Sequence, residues 1–350
     1  MDGLCPVQEV AKSCNGEIPE RFVQKNGYPQ SEVDSVPYMD DFSIDFSLLS
    51  SSSSSSPEAE HELGKLRLAL TQWDCFQAIN HGMTSEFIDK VREVTKSFFA
   101  LPLEEKQRYS RDINDLDGYG NDTVVSEKQT LDWTDRLYLK VYPEDQRKQK
   151  YWPENPLVFR EVIHEYTLKL RAMFELLMKA MARSLNLEEN CFLKEHGDLV
   201  IMASRFNFYP LCPAPESVLG IKPHADGTSV TMLLQDKEVE GLQVLKDDQW
   251  FRVSIVPDAL FINVGDLLEI MSNGILKSAV HRVVTNSDRE RISVAMFSLS
   301  DPDREVGPIA GLVTDDRPQM YKRVKHYENI FFENYQLGKR PLHAVRIQHP

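Results

Sequence analysis

Two rhythms divide the chain. Between residues 58 and 187 apolar side chains recur mainly every third or fourth position, whereas beyond Asp198 they fall into short runs separated by turn residues. The first spacing is that of amphipathic helices and the second that of half-buried strands. Residues 58–70 predict a helix with Leu63, Leu66, Leu68 and Leu70 on its apolar face. Ser85 is placed to cap a helix running to Phe99, and Leu101-Pro102-Leu103 ends it and opens a shorter one. The longest helical pattern, 155–187, carries Phe159, Ile163, Tyr166, Leu170, Phe174, Leu177, Met181 and Leu185 at helix spacing, and reads as a scaffold behind a sheet. Met173, Met178 and Met181 fill core there rather than bind a ligand. Short strand-like pieces interrupt this half at 42–46, 75–79 and 131–141.

The second half predicts strands at 201–209, 221–224, 229–235, 242–246, 251–255, 260–264, 268–271, 279–285 and 292–299, with Lys246-Asp247-Asp248-Gln249 as a hairpin turn. No segment repeats, which favours a two-sheeted jelly roll over a propeller. A helix over 320–333 and an irregular tail follow. The fold expected is α+β: a double-stranded β-helix core, a helical and mixed N-terminal region, and a C-terminal helix. The divisions expected are an irregular segment (1–57), an N-terminal region (58–150), the scaffold helix (151–197), the catalytic β-core (198–300) and the C-terminal helix and tail (301–350).

Composition narrows the function classes. With 350 residues, 41% hydrophobic and 27% charged, the chain can bury a substantial core. A formal net charge of -14 argues against nucleic-acid and anionic-membrane partners. No apolar run reaches the roughly 20 residues of a membrane span, and the first 22 residues lack the apolar stretch of a signal peptide. The five cysteines are odd in number and scattered, as expected of reduced thiols in a cytoplasmic protein. The serines of 50–56 predict a flexible loop. The sequon Asn121-Asp122-Thr123 is read as coincidental.

The candidate chemistry lies in the strand-rich half. His224-Ala225-Asp226, a distal His281 and then Arg291-Ile292-Ser293 supply two imidazoles and a carboxylate, the ligands of a facial triad for non-haem Fe(II), followed by a cation and a hydroxyl able to hold a second carboxylate. Residues two apart on a strand share a face, so His224 pairs with Asp226 and Arg291 with Ser293. A lone strand histidine is ordinarily a core residue, and a His-x-Asp pair arises by chance in an acidic chain with nine histidines. The weight rests on the conjunction and its order. Zinc suits the same ligands but gives Arg291 and Ser293 no task.

These residues resemble the plant 2-oxoglutarate- and Fe(II)-dependent dioxygenases, the group that includes flavonol and anthocyanidin synthases and gibberellin oxidases. The resemblance spans about Pro37 to Arg346. It is carried by WDCFQAINHG at 73–82, FFALP at 98–102, NFYP at 207–210, HADG at 224–227, LLQD at 233–236, GLQV at 241–244, VGD at 264–266, SNG at 272–274, HRV at 281–283 and GKRP at 338–341. The texture is most similar to the senescence-related and alkaloid O-demethylase-like branch.

The resemblance implies Fe(II) on His224, Asp226 and His281, with 2-oxoglutarate and O2 as co-substrates and ascorbate as reductant. Arg291 and Ser293 would take the far carboxylate of 2-oxoglutarate, Tyr209 would donate to the same molecule, and Asn207 would lie near its iron-bound end. The reaction implied is hydroxylation, O-demethylation or desaturation of a small molecule, with release of succinate and CO2. Members that do not consume 2-oxoglutarate, oxidases of hormones or flavonoids, and a non-enzymatic scaffold are the alternatives. Strand parity places Phe297 and Leu299 beside Arg291 and Ser293 at the substrate. Arg136 and Tyr138 share parity in a segment resembling a pocket wall, and Arg205 shares the face of Asn207 and Tyr209. Two arginines at a pocket would suit an acidic or phenolic-oxygen substrate, unless they are salt-bridged on the outside. No oligomeric partner is implied.

Overall fold

The computed structural model of the protein describes residues 5–24, 35–50, 56–113, 115–122, 124, 129–197, 199–335, 337 and 339–348. The serine run expected to form a flexible loop lies largely outside them, at 51–55, as do Thr123 of the sequon and Gly338 of the tail motif.

Three of the helices begin where a side chain supplies an acceptor for their free N–H groups. The first, α1 (Val7–Ser13), takes its acceptor from across the fold: Val7 N and Gln8 N donate to the Asp135 carboxylate at 2.7 and 2.9 Å. After the short strand β1 (Ser43–Asp45), α2 (Pro57–Gln72) is capped by Ser56, whose hydroxyl accepts from Ala59 N at 3.1 Å, with Pro57 in the first helical turn. The buried face of α2 is Ala59, Glu62, Leu66, Ala69 and Leu70, and the expected Leu68 is 49% exposed. Leu68 lies two residues, roughly 200° of helical turn, from Leu66. Strand β2 (Cys75–Ile79) leads to α3 (Ser85–Phe99). Its cap is Thr84 rather than Ser85, since the Thr84 hydroxyl accepts from Phe87 N at 3.2 Å.

Next come α4 (Leu103–Gln107), β3 (Gly118–Gly120), β4 (Asp135–Tyr142), α5 (Phe159–Ser184) and α6 (Cys191–His196). β4 begins later than expected because Leu131 N and Trp133 N are taken by Arg21 and Leu219 carbonyls outside the ladder. The β-rich half supplies β5 (Ile201–Tyr209), β6 (Leu219–His224), β7 (Val230–Gln235), β8 (Leu242–Lys246), β9 (Gln249–Arg252) and β10 (Leu260–Val264). The β8–β9 turn holds Asp247 and Asp248 at φ 48° and 61°, the left-handed pair of a two-residue hairpin. It starts β9 at Gln249, ahead of the expected 251.

The run 268–271, expected as a strand, is the end of a helix, α7 (Asp266–Met271). Four apolar residues carry no usable period. Gly265 brings the chain so close to Thr228 that a Cβ there would lie 2.2 Å from the Thr228 carbonyl oxygen, and the backbone turns at this crossing. Strands β11 (His281–Val284) and β12 (Arg291–Leu299) precede the last helix, α8 (Tyr327–Tyr335). It starts seven residues later than expected because Met320, Lys322 and Val324 give their N–H groups to Asn273, Val345 and Val306 instead.

Among the described residues twelve strands form two sheets: an eight-stranded one ordered β1-β2-β10-β7-β12-β5-β4-β3, and a four-stranded one ordered β6-β11-β8-β9. This is the two-sheeted jelly-roll core. α5 packs against α2, α3 and α6 behind the larger sheet, while α3 also contacts β5 and β12. On β12, Ile292, Val294 and Met296 enter that helical core, as do Met202, Phe206 and Phe208 of β5 and Leu137, Leu139 and Val141 of β4. Their alternate neighbours face the opposite way, toward the smaller sheet. Met173, Met178 and Met181 are buried in the helical core, as expected. Among the described residues no helix is long and apolar enough to cross a membrane.

One core residue makes stability pH-dependent. His196, at the end of α6, is fully buried edge-on to Phe174, and neither ring nitrogen has a hydrogen-bond partner among the described residues. Burial pushes it down to about 3. The unfolded chain then binds the extra proton below the ordinary histidine value, so this contribution is complete above about pH 6.5 and is lost as pH falls toward 3. Denaturant titrations of wild type and His196→Phe at pH 7.5 and 5 should show the wild type losing about 2 kcal/mol more than the variant. Equal losses would contradict an uncharged, unpartnered His196.

Candidate metal centre and active-site cavity

The two sheets enclose a cavity of about 590 Å³, lined by alternate residues of β4, β5, β7 and β12 on one side and by His224, Leu242, His281 and Val283 on the other. The candidate metal ligands meet at its wall. β6 and β11 are antiparallel, with His281 directly opposite His224, so a separation of many residues closes in one ladder rung. The imidazole centroids are 4.2 Å apart. Asp226 lies beyond the end of β6. Its position beside His224 therefore comes from the turn that follows rather than from strand pleat alone. Asp226 Oδ1 stands 3.6 Å from His224 Nε2 and 3.8 Å from His281 Nε2, and the three ligand atoms lie within 4.8 Å of one another.

Neighbouring groups orient each ligand. His224 Nδ1 meets the Lys222 carbonyl at 2.9 Å and His281 Nδ1 meets the Ala279 carbonyl at 3.1 Å. Protons on those nitrogens leave both Nε2 lone pairs directed at the centre. Asp226 Oδ2 accepts from Thr231 Oγ1 at 2.6 Å and Asn263 Nδ2 at 2.9 Å, which leaves Oδ1 facing the two Nε2 atoms, where it could hold a metal. Thr231 and Asn263 were not singled out in the sequence. Neither carries a local signal: one polar residue in a largely apolar strand does not say which side chain will meet it. Burial, reinforced by His281, pushes His224 down to about 3, so it is an uncharged donor at neutral pH. Burial would raise the Asp226 carboxyl, but the two histidines and the Asn263 and Thr231 hydrogen bonds outweigh it and hold it below the usual range.

Next to this cluster, β5 and β12 run antiparallel with Arg291 opposite Tyr209 and Ser293 opposite Asn207. Ser293 Oγ accepts from Asn207 Nδ2 at 3.2 Å and lies 3.4 Å from the Tyr209 hydroxyl. The Arg291 guanidinium is 5.1 Å from the Tyr209 ring centroid, and its Nε donates to the Val239 carbonyl at 3.1 Å. Nη1 and Nη2 are buried with no hydrogen-bond partner among the described residues. Leaving charged donors unsatisfied is costly, and a carboxylate from a ligand is the acceptor whose geometry fits them.

The outer cavity is apolar and aromatic. Tyr138 stacks on Phe297, with centroids 6.2 Å apart and planes at 24°, and Leu299 continues the β12 wall. Arg136 and Arg205 do line the cavity, and both are salt-bridged there, to Asp122, rather than on the outside. α8 closes the cavity with Phe331, Phe332 and Tyr335, none of which the sequence reading had placed at the site. Tyr335 meets the His224 ring edge-on at 5.6 Å, and a Cβ on Gly227 would strike the Phe331 ring at 2.5 Å.

Residues 200–300 match the family model described as the 2OG-Fe(II) oxygenase superfamily, and residues 43–155 match that of the non-haem dioxygenase N-terminal region in morphine synthesis. Codeine O-demethylase of Papaver somniferum is 39% identical over 94% of this chain and 91% of its own length. The oxoglutarate-dependent flavonoid 7-O-demethylase 1 of Ocimum basilicum is 38% identical over 98% of this chain and 91% of its own. A crystal structure of JOX2 in complex with 2OG, Fe and JA superposes with a TM-score of 0.86 at 31% identity, covering 99% of both chains.

The hydrogen bond from Thr231 is the most direct handle on the ligand cluster. Thr231→Val keeps its shape but removes one of the two hydrogen bonds to Asp226 Oδ2, leaving that from Asn263. Anaerobic titration with Mn(II) or Fe(II) should show affinity falling about 10–100-fold. Unchanged affinity would mean that Thr231 does not orient the carboxylate.

Proposed function

The chain belongs to the 2-oxoglutarate- and Fe(II)-dependent oxygenases, and from that premise we propose that it removes an O-methyl group from a small aromatic metabolite. It is a dioxygenase that uses Fe(II) and 2-oxoglutarate. The observation that carries the reading of its site is the buried Arg291 guanidinium, with two nitrogens unpartnered among the described residues, in the same cavity as a His-Asp-His cluster.

In this reading His224 Nε2, His281 Nε2 and Asp226 Oδ1 hold the iron. Bound together, iron, 2-oxoglutarate and O2 supply oxidation of a C–H bond while 2-oxoglutarate becomes succinate and CO2. The protein's own residues bind and orient. Arg291, Ser293 and the Tyr209 hydroxyl take the distal carboxylate of 2-oxoglutarate, and Asn207 holds Ser293 in place by the 3.2 Å hydrogen bond. Tyr138, Phe297 and Leu299 offer a flat aromatic ring an apolar seat, while Phe331 and Phe332 of α8 shield it from water. Which C–H bond reacts is set by which one the seat presents. A methyl ether hydroxylated on its methyl carbon becomes a hemiacetal, which collapses to a phenol and formaldehyde.

The O-demethylase names of two relatives support this reading. The structural neighbour crystallised with JA favours a second one, hydroxylation of a hormone-like molecule by the same machinery. We also assign the chain to the cytoplasm, where the five free cysteines would stay reduced. The divisions 1–57, 58–150, 151–197, 198–300 and 301–350 we retain as functional units, with the third as scaffold and the fourth as the catalytic core.

The test is mass spectrometry of methoxylated alkaloids, flavonoids and coumarins and of small hormone acids, incubated with enzyme, Fe(II), ascorbate and 2-oxoglutarate. Loss of CH2 with formaldehyde and stoichiometric succinate is the outcome expected, with no product from His281→Ala. Gain of one oxygen without formaldehyde would replace demethylation by hydroxylation, and product without succinate would overturn the co-substrate assignment. Arg291→Met should raise the KM for 2-oxoglutarate about 10–100-fold, since a charged hydrogen-bond donor is lost.

A further inference from the structure

Two guanidinium groups stand on the substrate side of the cavity with one carboxylate between them. β4 and β5 are antiparallel, with Arg136 opposite Asn207 and Tyr138 opposite Arg205, so the two arginines are diagonal neighbours on one face. Both reach Asp122, just after β3. Arg205 grips it with two nitrogens, Nη1 to Oδ1 at 3.2 Å and Nη2 to Oδ2 at 3.1 Å, and Arg136 Nε donates to Oδ1 at 2.8 Å. Two further nitrogens are engaged as well: Arg205 Nε with Asn207 Oδ1 at 2.7 Å, and Arg136 Nη1 with the Leu116 carbonyl at 2.9 Å. Asp122, Arg136 and Arg205 line the same cavity as His224, Asp226 and His281.

We propose that Asp122 is a specificity-determining residue: it fills, from within the chain, the anion seat between Arg136 and Arg205, so the cavity takes uncharged substrates and turns carboxylates away. The inference rests on the oxygenase reading of the cavity. An incoming carboxylate has two ways in. It can displace Asp122 and leave that carboxylate without its partners, or it can settle beside a like charge in a low-dielectric site, and both are costly. Burial would raise the Asp122 carboxyl, yet Arg205 and Arg136, with a smaller part from Lys222, hold it well below the usual range, so the seat stays filled at working pH. Without Asp122 the same two guanidiniums would present a fork suited to a carboxylate. The paired arginines thus do not themselves signal an acidic substrate.

The test compares a matched pair of ligands, para-methoxycinnamic acid and its methyl ester, titrated calorimetrically into Mn(II)- and 2-oxoglutarate-loaded wild type, Asp122→Asn, Asp122→Ala and Asp122→Glu. Wild type and Asp122→Glu should favour the ester, and Asp122→Asn and Asp122→Ala should raise the acid-to-ester affinity ratio at least about tenfold, or about 1.4 kcal/mol. Wild type binding the acid as well as the ester overturns the proposal, and needs no variant. A ratio that does not move in a folded Asp122→Asn or Asp122→Ala protein, including one in which the acid still gives no heat, overturns it too. A separate titration of 2-oxoglutarate into the Mn(II)-loaded wild type shows whether the co-substrate reading itself has failed, independently of the acid–ester comparison.

Discussion

The constraint on which everything else depends is the pleat of the larger sheet. Each of β4, β5 and β12 sends one set of alternate residues into the helical core and the other into the cavity. On β12 the first set is Ile292, Val294 and Met296, and the second is Arg291, Ser293, Ala295, Phe297 and Leu299. A slip of one residue would put a guanidinium beneath α3 and methionine in the active site. Burial of the apolar set therefore holds the polar set in register, and the catalytic arrangement follows from the same side-chain burial that stabilises the fold. α3 and α5, which cover the core face, act on the chemistry without touching the cavity.

This explains why so much was legible in the sequence. Parity alone placed Phe297 and Leu299 with Arg291 and Ser293, and Arg205 with Asn207 and Tyr209, because a long strand with a buried face cannot exchange its two sides. It also kept Tyr138 with Arg136. Where the period is absent or the partner is remote, the sequence said less. Residues 268–271 read as strand although they end a helix, since four apolar residues fit either period and the deciding contact is the close crossing of Gly265 and Thr228. The start of α8 was misplaced because the N–H groups of 320–324 are claimed by partners both upstream and downstream in sequence. Thr231, Asn263 and Asp122 carry no local mark of their role. Thr231 and Asn263 are defined by Asp226 in the turn after β6, and Asp122 by arginines of β4 and β5.

The cavity handles its three arginines in two different ways. Arg205 and Arg136 are neutralised in part by Asp122, and every nitrogen of Arg205 is satisfied within the protein. Arg291 is buried, yet among the described residues two of its nitrogens have no acceptor. A fold can satisfy a buried cation with its own carboxylate, and on the substrate side this chain does so. Leaving Arg291 unsatisfied destabilises the free protein, and in the proposed reading a ligand carboxylate would recover that deficit. The same residue type thus serves as wall in one place and as receptor in the other, and what distinguishes them is whether an aspartate stands nearby. On the proposed readings, electrostatic accounting at the two ends of one cavity would separate the group the enzyme must accept on every turnover from the groups it excludes.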